Sequence, residues 1–142
     1  MRLTLAHANT IVPAALAHGR AQAFAPLTVA VLDAGGHLVA MQREDGSGIL
    51  RFDIAFGKAW GALGMGFGSR ELATRAAANP AFITALTVVS NGRLIPAPSG
   101  VLVLAAGEVI GAVGISGDNS DNDEACALAG IAAAGLDAQT GA

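Results

Sequence analysis

The stretch from Ser99 to Ala138 constrains the fold most. Two apolar runs, Val101–Ala105 and Val109–Ser116, flank Ala106-Gly107, and short Val/Leu/Ile runs around a two-residue turn containing glycine predict a β-hairpin. Gly117-Asp118-Asn119-Ser120 is too polar to continue a strand, so a loop follows. A helix is then expected, capped by Asp121 with Glu124 returning the hydrogen bond three residues on. Residues 125, 128, 129, 132 and 136 carry the period of one buried helical face.

That pattern sits in a chain of 142 residues, enough for one domain (1–142) with a core of its own. Charged residues are only 13% of the chain against 53% apolar ones. The longest apolar run, Ala125–Leu136, is shorter than the ~20 residues a membrane-spanning helix requires. No membrane role is expected. His7 and Asn9 interrupt the start, which argues against a secretory leader. A cytoplasmic location is the expectation. A net charge of −3 with scattered basic residues points away from nucleic acid. A lone cysteine, Cys126, excludes a disulfide framework and a cysteine-based metal cluster, and no metal site is expected.

Before the hairpin, Leu3–Phe24 reads as a helix containing Pro13, with Leu3, Ala6, Thr10, Ala14, Ala17 and Ala21 near one face. Leu27–Leu32, the turn Asp33–Gly36 and the return His37–Glu44 predict a first hairpin. A helix is expected over Arg51–Leu63, with Phe52, Ala55, Phe56, Ala59 and Leu63 on its apolar stripe and Lys58, the only lysine, beside it. Gly64–Gly68 follows a helix rather than a strand, so it is no dinucleotide signature. Short helices are expected from Ser69 and from Asn79-Pro80, and Asn91-Gly92 between Thr87–Ser90 and Arg93–Ile95 predicts another hairpin. Antiparallel strands with helices grouped between them mean an α+β fold, with about four strands in meander after the central helices.

At this point the residues resemble a known family. Asp33-Ala34-Gly35-Gly36-His37-Leu38-Val39, Arg43-Glu44-Asp45-Gly46, Ile54-Ala55 and Lys58-Ala59 look like its first signature. Gly107–Gly117 followed by Asp121–Glu124 resembles its most specific stretch. The family is GlcG/HbpS, which also resembles the C-terminal domain of some corrinoid adenosyltransferases. The resemblance implies a profilin-like α+β fold with helices flanking a five-stranded antiparallel sheet. It also implies homo-oligomers, haem-binding members, and members encoded with aromatic or glycolate catabolism. The chain departs from the family pattern at Ser99-Gly100 and at Leu50–Asp53.

Two functions from different classes follow. The first is a small-ligand-binding domain that takes haem or a related tetrapyrrole. Haem requires an apolar slot and an axial donor, and the donors present are His7, His18, His37, Met41, Met65 and Cys126. His37 is the first choice, with Phe52, Phe56, Trp60 and Phe67 to line the slot. The second is a cofactor-free enzyme for a small anionic acid, hydroxylated or ring-opened aromatic. Arg43 would grip a carboxylate, Lys58 would act as base or nucleophile, and Asp45 and Glu124 would complete the set. Arg43–Gly46, Lys58 and Gly64–Gly68 are expected on one side of the fold, around a pocket. The small residues around the last helix predict a homo-oligomer.

Overall fold

A computed structural model describes residues 1–142. In chain order it runs α1 (Leu5–Ala21), β1 (Thr28–Asp33), β2 (Leu38–Arg43), α2 (Arg51–Met65), α3 (Ser69–Ala78), α4 (Pro80–Val89), β3 (Gly100–Ala105), β4 (Glu108–Ser116), α5 (Ser120–Ala133) and β5 (Asp137–Gln139). All strand pairs are antiparallel, and the sheet order is β2-β1-β4-β3-β5. This is the α+β class expected from the residues, with the five-stranded antiparallel sheet that the family resemblance implies; three strands, rather than about four, follow the central helices.

The β3–β4 hairpin closes at Ala106-Gly107 with Ala105 opposite Glu108. Both turn residues have positive φ, 50° and 80°, the backbone that matches the right-handed twist of the strands. Strand alternation then sorts the two faces. Val101, Val103, Val113 and Ile115 join Val29 and Val31 under α1 and α5, forming the larger core. Leu102, Ala112 and Leu32 face the other way, against Ala59 and Ala62 of α2.

The α2 face is built from small residues so that helix and sheet touch backbone to backbone. Any side chain at Gly114 would collide with the Ala55 carbonyl oxygen, and any at Gly100 with that of Lys58. The α2 stripe is therefore shifted from the expected one. Ala55, Ala59 and Ala62 are its buried positions, while Phe52, Phe56 and Leu63 are only half-buried at its flanks.

Four local expectations are corrected. On α1 the buried residues are Ala8, Ile11, Val12, Ala15 and Gly19, because the face follows the bulky Ile11 and Val12 rather than the alanines. Its start is a capping box between Thr4 and His7, so that histidine is fixed at the helix end. Thr87–Val89 continue α4 instead of forming a strand; the positive-φ Asn91-Gly92 pair ends that helix, and Arg93–Ile95 pair with no strand. The cap of α5 is Asn119, which accepts from Asn122 N at 2.8 Å, because Glu124 is drawn away to Arg70. The helices expected from Ser69 and from Asn79-Pro80 are present as α3 and α4, with Asn79 capping the latter.

Candidate functional site

At the C-terminal end of β4 a polar layer is enclosed between α2 and the start of α5. Lys58 does not snorkel to water. Its Nζ donates to the Ile115 carbonyl at 2.9 Å and lies 3.5 Å from Asp123 Oδ2. Both side chains are almost fully buried, at 4% and 1% exposure. Burial pushes the Lys58 amine below its ordinary value, although Asp123 pulls it back up. Burial likewise raises the Asp123 carboxyl, against the hydrogen bond from Asp118 N and the attraction of Lys58. Ser99 Oγ donates to the same Ile115 carbonyl at 2.7 Å, and Arg51 Nη1 donates to Ser116 Oγ at 3.1 Å.

The other polar residues singled out in the sequence lie elsewhere. Arg43 donates through Nη1 to the Ser47 carbonyl at 3.0 Å and, with Asp45, lines an open basin beside the Arg20–Glu44 ion pair. Glu124 receives Arg70 Nε at 3.1 Å, and Asp121 shares the same guanidinium. Arg43, Lys58 and Glu124 thus each have their own partner, and none of them hydrogen-bonds another. The Gly64–Gly68 loop is tied at its end, with Gly68 N donating to Gln139 Oε1 at 2.6 Å. Arg70 was not visible as a site residue in the sequence, since its partners are more than fifty positions away along the chain.

His37 stands at the β1–β2 turn, and its side chain is 81% exposed. Its Nδ1 is 3.1 Å from Asp33 Oδ1, which also accepts from the backbone N–H of Gly35 and His37. Burial slightly opposes ionisation of Asp33, but those hydrogen bonds together hold its carboxyl below the usual range. With Nδ1 committed to Asp33, Nε2 is the free ring nitrogen. An open pocket of about 370 Å³ adjoins the ring, walled by Leu3, Val109 and Ile110 with Arg2 at its rim.

The aromatic residues divide. Phe52 and Phe56 pack on each other along α2 with ring centroids 6.0 Å apart. Trp60 continues that line and meets Gly36 of the turn that carries His37. Phe67 lies apart, covered by the Arg75 guanidinium at 4.5 Å and packed on the small core of Leu72, Ile83 and Leu94. Asp33 and Arg2 are the residues that sequence reasoning missed at this corner. The aspartate two positions before Gly35 carried the signal, an Asx turn that can also reach the following histidine.

The corner therefore offers one oriented imidazole, an apolar wall and a cation. No group of three or more His, Cys, Asp or Glu side chains stands together to hold a metal ion by itself. No helix is long and apolar enough to cross a membrane.

Known proteins align with this architecture across nearly its whole length. The solved structure of a PduOC:Heme complex superposes with a TM-score of 0.87 at 25% identity, covering 96% of this chain and 98% of that one. A Streptomyces reticuli HbpS double mutant gives 0.77 at 30% identity over 93% and 86% of the two chains. Klebsiella pneumoniae protein ORFY gives 0.84 at 28% identity over 95% and 92%. A 15.0 kDa Citrobacter freundii protein from the dhaT-dhaS intergenic region, itself uncharacterized, is 34% identical over 98 residues, 69% of this chain and 68% of that protein. The family model for haem degrading protein HbpS-like matches residues 3–132, and the chain belongs to the HbpS-like family.

Proposed function

We propose that this chain binds haem, or a closely related tetrapyrrole, at the corner where the β1–β2 turn meets the start of α1. The observation that carries the reading is the Asp33–His37 pair, which leaves Nε2 as the free donor beside an apolar wall. The residues present fit one face of a haem. His37 would supply the axial nitrogen, Leu3, Val109 and Ile110 would lie against the ring, and Arg2 would meet a propionate. When bound, haem supplies one-electron and oxygen chemistry, and the chain supplies ligand, wall and counter-charge.

The haem-complex relative supports this reading by its close likeness in fold. The open shape of the corner also supports a homo-oligomer, in which a second copy closes the other side of the ring. The exposed Met1, Leu5, Leu38 and Val109 are the apolar surface that such a copy would cover.

A haemin titration tests the proposal. Saturable growth of a shifted Soret band with one haem per chain or per pair of chains is expected, and His37→Ala should remove the shift while the far-UV spectrum stays unchanged. A titration matching that of an unrelated control protein, or an undiminished band in His37→Ala, would overturn it. Light scattering at micromolar concentration should show at least two subunits.

A further inference from the structure

A second pocket lies between α2 and α4; it shares Trp60 and Gly64 with the hollow beside the Ala34–Gly36 turn but includes neither Asp33 nor His37. Trp60, Gly64 and Met65 of α2 face Leu86 and Val89 of α4, with Leu94 closing the groove. Its volume is about 150 Å³ and its lining is almost wholly apolar. The volume matches that of a cavity that takes a benzene ring, roughly 150 Å³, although this one is open on one side. Gly64 supplies the opening, because a side chain there would meet nothing within 4 Å.

Arg93 stands beside two of the lining residues: its guanidinium lies 4.2 Å above the centroid of the Trp60 ring, and its Nε donates to the carbonyl of Ser90. No carboxylate of the chain lies within ion-pair distance of Arg93, so its two Nη groups are open to an anion. The guanidinium is planar, delocalised and suited to a two-pronged grip on a carboxylate.

We propose that the α2–α4 groove binds a small monocarboxylate with an apolar body of about the size of one ring, its carboxylate held by Arg93 and its body against Trp60, Leu86 and Leu94. Size and charge select this occupant. The groove is too small for a tetrapyrrole, and an uncharged hydrocarbon would leave Arg93 unused.

Trp60 is the only tryptophan and the chain has no tyrosine, so emission comes from a ring that lines the groove, and the two variants below separate a response in the groove from one at the neighbouring Gly36 turn. The probe is benzoate, with benzyl alcohol as its uncharged counterpart. Benzoate should change Trp60 emission saturably with half-saturation near about 1 mM, as expected for a ligand of roughly nine heavy atoms. Benzyl alcohol should be at least tenfold weaker. Arg93→Gln should weaken benzoate about tenfold and leave benzyl alcohol unchanged, since only the charge contact is lost. Gly64→Leu, at an open helical position that tolerates a side chain, should fill the groove and abolish both responses. An unsaturable benzoate response, or one retained in both variants, would overturn the proposal.

Discussion

Lys58 on α2 and Asp123 on α5 belong to helices on opposite faces of the sheet, and they meet at the end of β4 with Nζ 3.5 Å from Oδ2. The pair ties the two helical layers together across the end of the sheet. Lys58→Met would leave the Asp123 carboxylate buried without its cation, and we predict a loss of about 3 kcal/mol in urea unfolding. Lys58→Met combined with Asp123→Asn should recover most of that loss, because the amide carbonyl still accepts from Asp118 N and no buried charge remains. Equal destabilisation in the single and double variants would refute the electrostatic account.

Two glycines should respond in opposite senses. At Gly114 a Cβ would strike the Ala55 carbonyl, a backbone atom with nowhere to move, so Gly114→Ala should lose about 3 kcal/mol or fail to fold. At Gly64 a Cβ meets nothing, so Gly64→Ala should gain about 0.5 kcal/mol through helix propensity alone. Thermal melts of the two variants decide this.

Ala106 sits at φ +50° in the β3–β4 turn, a conformation that disfavours any side chain lacking a local hydrogen bond. Ala106→Asn creates the Asn-Gly pair preferred at this turn and should stabilise the fold by about 1 kcal/mol, read as a higher denaturant midpoint with an unchanged slope.

Asp118 receives Ala25 N at 2.7 Å, together with Asn119 N and the Asn122 side chain. The bond from Ala25 leads these in holding the carboxyl below its ordinary 3.8. The folded state therefore keeps Asp118 charged at a pH where the unfolded chain already binds a proton. Stability from this group is present above about pH 4 and falls as the pH drops through the folded value. In Asp118→Asn the decline in melting temperature from about pH 5 to about pH 3 should be shallower than in the parent.

Asp33→Asn should leave the fold intact and weaken haemin binding about tenfold, because the amide orients His37 less firmly than a carboxylate does. An unchanged haemin affinity in that variant would show that the ring needs no support from Asp33.

Four of the five strands were readable because strand signals are local; β5, three residues long at Asp137–Gln139, carried no such signal. Val101–Ala105 and Val109–Ser116 are short apolar runs around a two-residue turn, and Leu27–Leu32 is a nearly continuous one before Asp33-Ala34-Gly35-Gly36. The error at Thr87–Ile95 came from the same reasoning. Threonine and paired valines before Asn-Gly favour a strand locally, but Ile83 and Leu86 anchor the segment as a helix over Leu72 and Leu94. The α1 face was misjudged because alanine is plentiful all round that helix and marks no side. Lys58 was conspicuous as the sole lysine, yet its partner is 65 positions away, a separation that no local pattern encodes. For the same reason neither Arg70 with Glu124 nor Arg93 over Trp60 could be read from spacing.

The sheet order also dictates when the molecule can finish folding. β1 and β2 form early in the chain, but β1 lies between β2 and β4, and β4 begins only at Glu108, after three helices and β3. Until β4 arrives, one whole edge of β1 is unpaired, and of the two helices that cover this face only α1 has been made. Closure of such a distant pair is entropically slow, and the waiting edge is open to a neighbouring chain. The rate-limiting event in folding should therefore be the docking of the β3–β4 hairpin onto β1, and crowded synthesis should expose the β1 edge to intermolecular pairing before that docking occurs.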